Sequence, residues 1–317
     1  MSSFVTVIGT VFVDCKGFSH NQYVPAGRNL GTIQFVHGGV GRNVAENLAN
    51  LELNTSFVST VDNTGLGDEI IQRLAALKLH TAYIGKAEQG MGMWLAVLDQ
   101  AGNLAGSISQ MPRLTELERI IQTSGSHMVS QSSHIVLELD LNERISKSIV
   151  ELAAEHNKPV YGIPGNLDVI LGNPSLLRQL ECFICNEIEA GRLLGKPFAD
   201  LGQDAMLQHL IAYVDANGLR SMVITLGEKG SIYYDRRTKE SGYQPVMPVQ
   251  LVDSSGAGDA YFSGTVMGLV RGLPLKEAVV CGTKVAGWTI ESQQSNCPEL
   301  NRKFKQDDYF QTLLVKP

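Results

Sequence analysis

The sequence is short of several features that would assign a class at once. Basic residues are not in excess, 26 Lys and Arg against 32 Asp and Glu for a formal charge of −6, so there is no electrostatic footprint for nucleic acid or an anionic membrane surface. No apolar run approaches the ~20 residues a membrane span requires. The five cysteines are an odd number for a disulfide framework, and the first apolar run is too short for a secretory leader. No Gly-rich loop ends in Gly-Lys-Ser/Thr, and the seven histidines show no metalloprotease spacing. A soluble protein of a reducing compartment, the cytoplasm, is expected, with a small-molecule partner and neither nucleic acid nor membrane.

What is present is a chain of 317 residues, 44% hydrophobic and with 32 glycines, long enough to bury a large core. Residues 4–8, an apolar β-branched run closed by Gly9, read as a buried strand of a parallel sheet. Strand patterns follow at 55–61, 81–85, 133–137, 159–162, 182–185 and 221–226, and helix patterns at 67–77, 143–156, 257–271 and 274–291, with Val44, Leu48 and Leu51 also at helical spacing. Pro274 suits a first helical turn. This alternation predicts an α/β fold with a mostly parallel sheet. Segments 11–36 and 90–111 stand outside it, the second as a hairpin around the polar turn 100–103, and predict a small β lid on a single domain spanning 1–317.

Four segments could carry chemistry. In Asp253-Ser-Ser-Gly-Ala-Gly-Asp259 a small-residue turn opens an apolar helix, which offers free amides and the positive dipole end to an anion. An acid in that first turn suits either a proton acceptor for phosphoryl transfer or simple complementation of the dipole. The segment His37-Gly-Gly-Val-Gly-Arg-Asn43 also sets glycines before a helix; Val44 stands where a dinucleotide fingerprint needs its third glycine, and no strand is expected close before it. A ligand turn with Asn43 as hydroxyl partner and a plain capped turn both fit. Asn186-Glu-Ile-Glu189 follows a strand and suits either a hydrated Mg²⁺ or ordinary first-turn acids. Thr225-Leu-Gly-Glu-Lys-Gly230 is a phosphate cradle or a tight turn. Cys182 and Cys185, three apart on a strand, face opposite sides and suit a core, not a metal.

The order of these segments resembles the ribokinase-like (PfkB) carbohydrate kinase family over essentially the whole chain, with 38–51 similar to its first signature and 253–262 to its second. That resemblance implies a three-layer α/β/α sandwich with a β lid, ATP as phosphoryl donor, Mg²⁺ and, in some members, K⁺. It implies Asp259 as the base and Gly256, Ala257 and Gly258 as the anion hole. Asp14, Gly39 and Asn43 would hold sugar hydroxyls, with Lys16 beside them reaching a substrate carbonyl or a surface acid. Asn186 and Glu189 would position Mg²⁺ through water, and Thr225, Gly227 and Gly230 would line ATP. The stretch 292–296 would lie near the adenine, Asn296 included. Asp253 and the backbone around Ser255 and Asn296 correspond to a monovalent-cation site. Residues 14–17, 38–47, 94–99 and 288–292 are most similar to pseudouridine kinases, which implies pseudouridine as acceptor. Two departures are Gln110, where an acidic lid residue is usual, and 161–166, which lacks an Asp-Pro. Ribose, fructose or another nucleoside is the alternative acceptor, and a non-catalytic sugar- or nucleoside-binding protein is the alternative of another class. The exposed lid strands leave room for a homodimer.

Overall fold

Strands at the centre of this chain's larger sheet are short apolar runs buried on both faces, and they stack side by side because a parallel sheet covered on both sides satisfies them. The computed structural model describes residues 3–139, 141–165, 167–196, 198 and 201–315. Its strands are β1 (Phe4–Ile8), β2 (Phe12–Ser19), β3 (Gly31–Gly38), β4 (Asn54–Asp62), β5 (His80–Ala87), β6 (Gly92–Leu98), β7 (Leu104–Gln110), β8 (His134–Glu138), β9 (Val160–Ile163), β10 (Cys182–Asn186), β11 (Ser221–Thr225), β12 (Ser231–Asp235) and β13 (Glu240–Gln244). Nine form one sheet in the order β13-β12-β11-β10-β9-β8-β1-β4-β5. From β11 to β5 neighbours run parallel, while β12 pairs antiparallel with both β11 and β13. The other four form a small sheet, β3-β2-β6-β7.

Helices lie on both faces of the large sheet, over two separate cores. Val5, Val7 and Cys182 face one, shared with the helices Val40–Asn50, Ala257–Val270 and Leu275–Ile290. Ile8, Phe183 and Cys185 face the other, shared with Thr115–Gln131, Glu143–Glu155 and Gln203–Asn217. The two thiols thus sit on opposite faces, and burial pushes that of Cys182 up to about 12 and that of Cys185 up as well, which suits packing and not metal binding. Helix Val40–Asn50 starts unusually close to β1. A Cβ on Gly9 would stand 2.6 Å from the Cα of Gly41, and one on Gly41 would stand 2.5 Å from the Cα of Gly9.

Several expectations need correcting. The hairpin β12–β13 extends the sheet where no strands were read. Helices Thr115–Gln131 and Gln203–Asn217 were not anticipated either; the latter buries only Met206, Leu210 and Val214, too sparse a stripe to announce itself. Pro274 stands at the cap position, one residue before the first turn. A strand does precede the first glycine turn, since β3 runs directly into it. Asn166 lies outside the described residues. Among the described residues no helix is long and apolar enough to cross a membrane.

Candidate active site

Chain direction fixes where a site can form, because parallel strands deliver their C-terminal ends, and the helices that follow them, to one edge of the sheet. Helix Ala257–Val270 begins there at Gly256, whose φ of +76° excludes most side chains, and no side chain caps it among the described residues. Its uncapped first turn separates two cavities. Ser255, Gly256 and Asp259 face the first, of about 450 Å³; Ser254, Ala257 and Gly258 face the second, of about 440 Å³. Ala257, expected in the anion hole, donates its amide to Ser254 O at 3.2 Å, whereas the amides of Gly258 and Asp259 have no acceptor within the helix.

The first cavity lies between the two sheets. Asp14 and Lys16, two apart on β2 and therefore on one face, come in from the small sheet, Thr10 and Glu138 from the ends of β1 and β8 in the large one, and Gly39 and Asn43 from the start of helix Val40–Asn50. Asn43 Nδ2 donates to Asp259 Oδ2 at 2.7 Å. Burial pushes the Asp259 carboxyl up to about 6, against the pull of the Asn43 hydrogen bond and the Arg42 charge, with the Glu189 charge adding to the rise. Burial also raises Asp14, while Lys16 and Arg42 draw it back. A carboxylate whose pKa sits near the working pH is suited to take a proton and give it up again.

Glu138 is the residue that sequence reasoning missed. It is 7% exposed and accepts from the amides of Thr10 at 2.8 Å and Gly41 at 3.1 Å, and from the Thr10 hydroxyl at 3.0 Å. Burial takes its carboxyl up to about 7, the Thr10 and Gly41 bonds opposing and the Asp259 charge contributing. Its place at the C-terminal end of β8 was the available signal.

The second cavity is lined by Thr225, Gly227 and Gly230 after β11, by Val246, Met247, Val249 and Leu251, and by Thr283, Ala286, Gly287 and Ile290 on helix Leu275–Ile290. Its lining joins apolar side chains to a glycine turn and a helix start, a combination that suits an aromatic base against the first and phosphates against the second. The stretch 292–296 is elsewhere: Gln293 and Ser295 line the first cavity. Asn296, expected near the adenine, is 4% exposed and donates to Asn43 O at 2.9 Å and Asn47 Oδ1 at 3.1 Å. Its amide ties the loop to helix Val40–Asn50 because its neighbours there are a carbonyl and a second amide. Gln110, at the end of β7, lines neither cavity, although Met111 and Pro112 line the first.

Asn186 and Glu189 close a reciprocal capping box on helix Glu187–Leu194, with Asn186 Oδ1 accepting from the Glu189 amide at 2.9 Å and Glu189 Oε2 from the Asn186 amide at 2.7 Å. They line neither cavity, yet the Glu189 charge is felt at Asp259. Among the described residues no three His, Cys, Asp or Glu gather to hold a metal. Asp253 lines the first cavity and accepts from the Ser255 amide at 2.8 Å; that bond and, beyond it, the charge of Lys16 hold its carboxyl below the usual range despite partial burial.

Residues 2–301 match the model of the pfkB family of carbohydrate kinases. The chain is 36% identical over 298 residues to the guanosine-inosine kinase of Exiguobacterium acetylicum, covering 93% of this chain and 97% of that one. It is 26% identical over 300 residues to the pseudouridine kinase of Escherichia coli strain K12, covering 94% of each. Its fold is similar to that of the Arabidopsis thaliana ribokinase solved with ribose and ATP, with a TM-score of 0.81 at 20% identity over 100% of both chains. The Thermotoga maritima ribokinase gives 0.79 at 20% identity, over 97% of this chain and 100% of that one.

Proposed function

The chain belongs to the pfkB family of carbohydrate kinases, ATP-dependent enzymes acting on sugars and nucleosides, and we propose that its acceptor is a nucleoside phosphorylated on the primary 5′-hydroxyl. The observation that carries this is the pair of cavities meeting at one uncapped helix start, with Asp259 on the acceptor side. The acceptor cavity, about 450 Å³, is in the range of sites for drug-sized ligands and exceeds what a pentose needs. Guanosine and inosine lead the acceptors, since the relative of that activity is 36% identical; pseudouridine, from the relative at 26%, follows.

In the reaction Asp14 and Asn43 orient the sugar hydroxyls, and Asp259 takes the proton as the 5′-oxygen attacks the γ-phosphorus and the bond from that phosphorus to the bridging oxygen breaks, releasing ADP. The amides of Gly258 and Asp259 and the helix dipole stabilise charge on the transferring group. Thr225, Gly227 and Gly230 hold the donor. Mg²⁺, placed through water by Asn186 and Glu189, would neutralise phosphate charge. The small sheet, as a lid, excludes water from the acceptor site and so limits hydrolysis of ATP.

A mass-spectrometric assay with Mg-ATP and competing inosine, guanosine, adenosine, uridine, pseudouridine and ribose tests the proposal. A monophosphate of inosine or guanosine as leading product supports it, pseudouridine monophosphate moves the acceptor to the other relative's, and ribose phosphate alone overturns the nucleoside reading. Binding of nucleoside and ATP without any product would make the chain a non-catalytic binding protein.

A second copy of the chain is the other partner. On the outward face of the small sheet Phe35, Cys15, Leu95 and Ile108 form one cross-strand row and Ile33, Gly17, Val97 and Gly106 the next. Neither row carries a charge, and Ile33, Phe35, Leu95 and Ile108 are exposed, which suits pairing with the same face of another copy. Sedimentation equilibrium should show a dimer that Phe35→Asp dissociates; a monomeric wild type would remove this partner.

A further inference from the structure

Arg42 is 2% exposed and its guanidinium joins three elements. Within helix Val40–Asn50, Nη1 pairs with Glu46 Oε2 at 2.6 Å. Toward the small sheet, Nη2 donates to the carbonyl of His37 and Nε to that of Gly38 at 3.3 Å, the last two residues of β3. Toward the loop after helix Leu275–Ile290, Nη2 donates to Ser295 Oγ at 3.3 Å. Ser295 Oγ lies 3.2 Å from His37 O and 3.4 Å from Asn43 Oδ1, and the nitrogen of that same Asn43 amide donates to Asp259 at 2.7 Å.

The chemistry of an amide gives this path a direction. Turned over, Asn43 would present its oxygen to the Asp259 carboxylate and lose the bond. Arg42 can only donate, so Ser295 Oγ accepts from it and has one proton to place, on His37 O or on Asn43 Oδ1; placed on Asn43 Oδ1, it holds that amide with its nitrogen toward Asp259. The planar, permanently charged fork of arginine serves acceptors in several fixed directions, which an ammonium does not. Glu46, which also pairs with Arg73 at 2.9 Å, balances its charge in the interior.

We propose that Arg42 and Ser295 are positioning residues for phosphoryl transfer, fixing the Asn43 amide, and through it Asp259, to the same pivot that carries the small sheet. This rests on the reading of Asp259 as the base. Ser295→Ala removes one hydroxyl and leaves the buried Arg42–Glu46 pair in place, whereas Ser295→Thr keeps the hydroxyl. In the full chain, Ser295→Ala should lower kcat by roughly tenfold, part of the ~10²-fold that a ~1 Å misplacement of a catalytic group can cost, with the KM for ATP unchanged. Ser295→Thr should restore most of that loss, and Arg42→Lys should behave like Ser295→Ala. Thermal melting checks folding, and should Arg42→Lys not fold, the two Ser295 variants decide alone. Wild-type kcat in Ser295→Ala, failure of Ser295→Thr to recover, or a loss confined to the KM for ATP overturns the proposal. Asp259→Asn in the same assay keeps the failures apart. Turnover retained there removes Asp259 as base, whereas turnover lost there with Ser295→Ala unimpaired removes only the positioning role.

Discussion

Helices Val40–Asn50 and Ala257–Val270 begin alike and end up used differently. Each opens at a glycine with positive φ, Gly39 at +98° and Gly256 at +76°, and neither glycine contributes a capping side chain. At the first, the protein fills the positive end itself: Glu138 accepts the Gly41 amide at 3.1 Å, and Thr10 O accepts the Arg42 amide at 3.1 Å. At the second, the first turn opens between two cavities. A helix start whose amides an internal carboxylate accepts is a fastening, while one left open keeps its amides free for an anion. Both carboxylates line the first cavity and differ in their partners: Glu138 is bound by two amides and a hydroxyl, whereas Asp259 accepts from the Asn43 side-chain amide.

The sharpest way to break this comparison is to neutralise each carboxylate. Asp259→Asn should lower kcat by ~10²-fold or more, the scale of a lost general base, with nucleoside and ATP binding retained in calorimetry. Glu138→Gln losing as much would make the two starts equivalent. The pH profile comes next. With the Asp259 carboxyl at about 6, kcat should fall about tenfold per unit below that pH as the base becomes protonated, and a flat profile between pH 5 and pH 7 would move the base elsewhere.

Stability reads the other start. The folded-state pKa of Glu138 is raised from 4.5 to about 7, so the folded chain holds that proton more tightly than the unfolded one. Its contribution is complete below about pH 4.5 and is lost as pH rises through about 7, a change on the order of a few kcal/mol. Denaturant titrations should show that decline in the wild type and a flatter dependence in Glu138→Gln. The smallest effect should come from a helix start of ordinary type. Asn142 caps helix Glu143–Glu155 by accepting from the Ile145 amide at 2.8 Å; Asn142→Ala should cost about 1 kcal/mol in the same titrations and leave kcat unchanged.

The parts that were legible in the sequence are those built from local signals. Glycines before an apolar helix marked both helix starts, the β-branched runs marked β1, β4, β8, β10 and β11, and the two segments outside the alternation became the small sheet. What was hidden depends on pairing across long separations. Asn296 is placed by acceptors on residues 43 and 47, and nothing near it in the chain tells a buried tie from a ligand contact. Arg42 passed as part of a glycine turn, because its acceptors on His37, Gly38 and Ser295 are brought together by folding. The capping box at Asn186 and Glu189 is local, but the same two residue types serve a cap or a hydrated cation, so spacing could not separate them.

The approach of Gly9 to Gly41 bears on how this chain can change over time. A Cβ on either residue meets the Cα of the other, at 2.6 and 2.5 Å, so no substitution at one makes room for a substitution at the other. Other close contacts can drift by a compensating pair of changes, large for small on one side and small for large on its neighbour. Here both sides already carry the smallest residue there is, and a lineage that loses either glycine has only one mutational step back, which is reversion.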